Sequence, residues 1–185
     1  MKEDQKYIYY ACGSTVDRIK LLPQLEAVTE KGYDVLCFTD DVDEFAARMI
    51  HDYKEKELKS VSDKDLGTQS EEEKKQQEDL AAENKDVLAA LKEALNGKVA
   101  DVRLSQRLKS HPVCITSEGD LTIEMEKVLN AMPMENKFNA QKVLEIHASH
   151  PVFEAIKKIA GDKEKIAEYA QLLYDQSLLI EGLPI

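Results

Sequence analysis

The sequence predicts an α/β plus α+β protein. Residues 1–66 read as a small three-layer parallel βαβαβ subdomain and 67–76 as a linker. Residues 77–185 read as a second domain with a long helix, a small three-stranded sheet, an amphipathic helix and a terminal helical bundle. Three observations carry this. Three short apolar runs in the first sixty residues alternate with helical stretches, the signature of a parallel sheet with right-handed crossovers. The chain from Ser62 to Gln77 is polar, with Gly67-Thr68-Gln69-Ser70 at its centre, as a domain boundary should be. Beyond it the apolar spacing switches between the period of a strand and that of a helix.

In the first unit, Lys6 to Cys12 is rich in tyrosine and β-branched residues and reads as a strand. A helical stretch interrupted by Pro23 follows; Leu22, Leu25 and Val28 give its second part, Leu22 to Lys31, an apolar stripe, and Gly32 suits the position after a helix end. Asp34 to Phe38 is nearly all apolar, as in a strand covered on both faces. Val42 to Tyr53 reads as a helix with acidic residues in its first turn, where the helix dipole favours them. Leu58 to Val61 is the third strand.

The second domain opens with a helix predicted over Glu71 to Asn96, with Leu80, Asn84, Val87, Leu88, Leu91 and Leu95 on one face and Gly97 as its stop. Lys98 to Ser105 alternates as a strand with Ala100, Val102 and Leu104 inward. Val113 to Ser117 is a second strand; Glu118-Gly119-Asp120 is a turn, with Asp120 placed to cap the next helix. In that helix Leu121, Met125, Val128, Leu129 and Met132 share one face, and Pro133 ends it. Methionine is unbranched and polarizable, so this face suits either an ordinary half-buried helix or a surface that adapts to foreign chains. Gln141 to His147 is the third strand. Ser149 or His150 opens a helix led by Pro151, and Asp162 caps a last helix running to about Glu181. There Ile166, Ala170, Leu173, Ser177 and Ile180 step along one face, and Tyr169, Leu172 and Leu179 widen it. So broad a stripe suits packing against a second copy in a two-fold dimer, or intramolecular packing on Phe153 and Ile156.

Composition bounds the function. The formal charge of −11 opposes nucleic-acid binding, which needs a basic stripe. No run is long enough to span a membrane, so a cytoplasmic protein without membrane partners is expected. Cys12, Cys37 and Cys114 lack redox or zinc spacing and read as reduced thiols. Cys12-Gly13-Ser14-Thr15 follows a strand as a phosphate loop would, but lacks the rest of that motif, and a strand-to-helix turn needs a glycine and a hydroxyl cap in any case. His147-x-x-His150 has no third metal ligand nearby, and Asp40 to Glu44 lacks the glycine and closing glutamate of a calcium loop. No catalytic residue, resident metal or cofactor is therefore expected.

Several segments, in order, resemble the ninety-kilodalton heat-shock chaperone family of bacterial type. They are Tyr7-Ile8-Tyr9-Tyr10, Leu22-Pro23-x-Leu25-Glu26, Lys31 to Leu36, Asp40 to Phe45, Asp101 to Leu108 and Leu172 to Leu179. The resemblance covers essentially the whole chain. It implies the C-terminal part of the chaperone, namely the end of the middle domain and the C-terminal dimerisation domain. It also implies that the ATPase domain lies elsewhere, so that this chain is no enzyme and ATP and Mg belong only to the full-length protein. Carried over by position, it implies client contacts at Glu44, Phe45, Arg48, Leu121, Met125, Val128 and Leu129. It implies a homodimer through Ile166, Tyr169, Ala170, Leu172, Leu173, Ser177 and Ile180. The sequence departs from the family pattern at Phe45, Arg48 and Leu121, where Trp, Asn and Met are frequent.

Three functions compete on these grounds. The first is a chaperone segment that dimerises and holds partly folded client proteins. The second is a small α/β nucleotide- or phosphate-binding enzyme domain carrying a helical oligomerisation module. The third is a dimerisation module without a client surface.

Overall fold

The computed structural model describes residues 1–2, 4–133 and 137–185, and shows a mixed α/β protein with two sheets. In the first unit, β1 (Ile8–Cys12) pairs in parallel with both β2 (Val35–Phe38) and β4 (Lys56–Ser60). A two-residue strand, β3 (Asp52–Tyr53), adds an antiparallel edge, so the sheet runs β2-β1-β4-β3 and is mixed where the sequence predicts it wholly parallel. The edge exists because the helix before it stops early. That helix, α3 (Asp43–Ile50), ends at His51 with φ +63°, and Lys54 and Glu55 also take positive φ to turn the chain back.

Alternation along β1 dresses its two faces. Tyr9 and Ala11 face the short helices α1 (Val16–Lys20) and α2 (Glu26–Glu30), meeting Ile19 and Val28 in one apolar cluster. Tyr10 lies on the other face against Phe38, close enough to Glu44 and Arg48 of α3 to feel their charge. A 3-10 turn, Pro23–Leu25, joins the two short helices. The Tyr9 hydroxyl donates to the Leu66 carbonyl (2.7 Å), which ties the chain beyond β4 back to the core.

The region read as a linker is partly helical. Ser70 and Glu73 form a reciprocal capping box at the start of α4 (Glu71–Glu83). The single long helix of the sequence reading is two helices, α4 and α5 (Lys85–Ala94), because Asn84 leaves helical geometry and its side-chain amide donates to the Leu80 carbonyl. α4 buries no residue, whereas Leu88 and Leu91 of α5 enter the core.

The second sheet runs β5-β7-β6, with β5 (Asp101–Leu104) parallel and β6 (Val113–Glu118) antiparallel to β7 (Gln141–Ile146). Val102 and Leu104 point inward as their alternation predicts, but Ala100 is exposed and Val99 is buried instead. Helix α6 (Ile123–Ala131) follows β6, and α7 (Pro151–Lys158) and α8 (Lys163–Glu181) complete the unit. One apolar core joins Leu88 and Leu91 of α5, Leu144 and Ile146 of β7, Phe153 and Ile156 of α7, and Ile166, Ala170 and Leu173 of α8.

The opposite face of β7 carries a buried charge cluster. Glu145 accepts from Arg107 Nε (2.9 Å), Arg103 Nη2 (2.9 Å), Ser105 (2.8 Å) and Thr116 (3.1 Å). Burial pushes its pKa up, but Arg107 and Arg103 outweigh that and bring it down to about 2. Arg107 then crosses to the first unit, donating to the carbonyls of Val61 and of Asp63 (2.8 Å). Further contacts join the units. Gln24 donates to the Ile115 carbonyl (2.8 Å), and Glu26 accepts from the Lys109 amide (2.6 Å) and meets His111 Nδ1 (2.6 Å). Among the described residues, no helix is long and apolar enough to cross a membrane.

Candidate functional site

The two helices that the sequence reading singled out lie side by side. Glu44 of α3 is only 4% exposed. It accepts from the Cys12 thiol (3.2 Å) and from Arg48 Nε (3.0 Å), and Arg48 Nη2 donates to Asp63 (3.3 Å). Burial, then the nearby Glu44 carboxylate, push the Cys12 thiol well above its ordinary range, so it stays protonated. This network fixes the inward face of α3. Phe45 is half-buried, and the outward side leaves Val42 and Ile50 exposed and Met49 87% exposed.

Helix α6 is capped by Thr122, whose hydroxyl accepts from the Met125 amide (3.1 Å), and not by Asp120 as the turn suggested. The shift places Leu121 before the helix, half-buried, and turns Met125 into the core at 8% exposure. Val128 and Leu129 remain half-buried, and Met132, extended before Pro133, is exposed. Five of the seven expected contact residues, Phe45, Arg48, Leu121, Val128 and Leu129, thus reach the surface. Glu44 and Met125 are buried, the first in an ion pair with Arg48 and the second by packing. Val42 just before α3, and Phe45 and Met49 on it, step three and four, a spacing readable in the sequence.

Between α3, α6 and the end of α8 lies a cleft of about 330 Å³. Asp40, Asp41, Glu44, Glu124 and Glu181 bring carboxylates to it, Arg18 and Lys127 bring cations, and Leu22, Val128, Ala131 and Ile180 are apolar. Lys127 Nζ donates to the Glu181 carbonyl (2.7 Å) and to Glu124, with a Glu181 carboxylate oxygen 3.7 Å away. Burial pushes the Glu181 carboxyl up to about 7, against the pull of Lys127 and with Glu124 adding to the rise.

The remaining candidates resolve into local structure. Thr15 caps α1, accepting from the Arg18 amide (3.2 Å), and a side chain at Gly13 would meet Ile19 at 2.9 Å. His150 caps α7 through Nδ1, which accepts from the Val152 amide (3.2 Å). Asp43 accepts from the Asp40 amide (3.0 Å), an acidic turn serving its own backbone. Among the described residues, no three His, Cys, Asp or Glu side chains are grouped to hold a metal ion.

The expected dimer residues divide by the pitch of α8. Ile166, Ala170, Leu173 and Ser177 are buried in the chain's own core, with the Ser177 hydroxyl donating to the Tyr174 carbonyl (2.7 Å). Ile180 is half-buried beside the cleft. Tyr169 is exposed, as are Leu172 at 61% and its neighbour on the face, Leu179.

The family described as Hsp90 protein matches residues 1–185. Relatives named chaperone protein HtpG are 56% identical in Clostridium acetobutylicum, 58% in Bacillus velezensis and 53% in Bacillus subtilis, each over 186 residues. Each match takes in 100% of this chain, which spans 30% of the relative's length. Three expectations are corrected on this finding: a non-catalytic C-terminal part, an ATPase domain lying outside the chain, and no ATP or Mg within it. The match runs through the whole chain and makes it chaperone-related throughout. A shared 30% of each relative gives no ground for the C-terminal assignment or for excluding catalysis and nucleotide.

Proposed function

Because the chain belongs to the Hsp90 family, we propose that it takes part in chaperone work by holding partly folded protein chains against the surface shared by α3 and α6. The observation that supports this is the set of exposed apolar side chains at the start of α3 and along it, Val42, Met49 and Ile50, with half-buried Phe45, Val128 and Leu129 on the two helices. Flexible methionine and leucine contacts favour many weak fits over one tight fit, as suits clients without a common sequence. In this reading Phe45, Arg48, Leu121, Val128 and Leu129 touch the client, while Glu44 and Met125 hold the helices in place. The exposed outer face of α8, with Tyr169, Leu172 and Leu179, supports self-association as a second property.

The test is fluorescence anisotropy of labelled, partly unfolded α-lactalbumin titrated with the chain and with a Val42→Ser, Met49→Ser variant. Both positions are exposed, so the variant should keep its fold by circular dichroism. Saturable binding weakened about tenfold in the variant, ~1.4 kcal/mol, is expected. Equal binding by the two would sink the assignment. ATP with Mg²⁺ is titrated alongside as an independent ligand, and saturation would place a nucleotide site within these residues.

A further inference from the structure

We infer that the cleft between α3 and α6 receives a basic side chain of the bound polypeptide, so that the preferred client segment carries a Lys or Arg flanked by apolar residues. This rests on the client-binding reading and adds a chemical preference to it.

The argument is one of charge and shape. The cleft has the size of a small-ligand site and sits where the two units meet, a common place for one. Its walls hold five carboxylates against two cations; Glu44 is paired with Arg48, and Lys127 is shared by Glu124 and Glu181, which leaves Asp40 and Asp41 facing Arg18. Among the described residues, the carboxylates of Asp40 and Asp41 make no ion pair, and both stand exposed at the rim, ready to meet a cation. Half-buried Leu22, Val128 and Ile180 line the same cleft and would cover the methylene stem of Lys or Arg while the charged head reaches Asp40 and Asp41. Exposed apolar residues adjoin the lining in sequence, Leu21 beside Leu22, Val42 beside Asp41 and Met132 beside Ala131, and these suit apolar neighbours of the basic residue. An acidic client segment would meet like charge in the same place.

The experiment uses three labelled peptides of one Leu- and Val-rich sequence that differ only in a central Arg, Gln or Glu. Each is titrated by anisotropy against the intact chain and an Asp40→Asn, Asp41→Asn variant, in parallel with partly unfolded α-lactalbumin. At low salt the Arg peptide should bind about fivefold more tightly than the Gln peptide, with the Glu peptide weakest. The variant should lose most of that difference while still binding the Gln peptide. Equal affinity for the Arg and Gln peptides, or an Arg advantage untouched in the variant, would overturn the basic preference and leave the apolar client surface standing. If neither peptides nor α-lactalbumin bind, the underlying reading has failed as well.

Discussion

At the scale of the residue, two buried carboxylates show how environment decides the sign of a charge effect. Glu145 sits among two guanidinium groups and two hydroxyls and is held down at about 2. Its contribution is present above the ordinary carboxylate range and is lost as pH falls through about 2. Replacing Arg107 with Leu leaves Glu145 with one cation fewer and frees two carbonyls, and should cost about 3–5 kcal/mol in urea unfolding. Glu181 is the opposite case. Its folded pKa, about 7, lies above the unfolded value, so the native state binds the proton more tightly, and stability falls as pH rises from about 4.5 to 7. Glu181→Gln, which mimics the protonated form, should leave stability nearly unchanged at pH 4 and raise it by about 3 kcal/mol at pH 8. Urea titrations at the two pH values check this, and a variant destabilised equally at both would refute the assignment.

At the scale of the element, what was legible followed from local rules. The strands around Tyr9 and Leu144, the stop at Pro133 and the last helix from its Asp162 cap to about Glu181 all rest on periodicity and capping. The misses were also local but turned on competition. Asp120 and Thr122 are both good caps, and packing of Ile123 and Met125 into the core selected the second. Asn84 lies on the apolar stripe of its helix, and only its side-chain bond to Leu80 reveals that the helix breaks there. Thr122→Ala should therefore cost about 1 kcal/mol, fray the start of α6 and weaken client binding with it. Hydrogen exchange at the first amides of α6 is the direct measurement.

At the scale of the whole molecule, what joins the parts is not legible in the sequence. Phe45 and Met125 could be named as members of two helices, but the meeting of α3 and α6 depends on long-range contacts such as Arg107 reaching Val61 and Asp63, across more than forty residues of sequence. The cleft is similarly invisible to periodicity, since Glu44, Lys127 and Glu181 come from three helices. The outer face of α8 was legible as apolar but not as divided, because the pitch that buries Leu173 exposes Leu172. If the exposed half mediates self-association, Leu172→Glu should shift the sedimentation coefficient toward that of a single chain while leaving the melting temperature nearly unchanged. A variant that sediments as before would remove α8 from the interface.

The joint between the units is made of polar bonds, from Gln24, Glu26 and Arg107, and the two apolar clusters on either side do not merge. Such a seam is strict about orientation, since each donor must find its acceptor, yet water can stand in for every partner when it opens. If the chain holds partly folded proteins as proposed, its halves could then separate without baring a sticky core of their own.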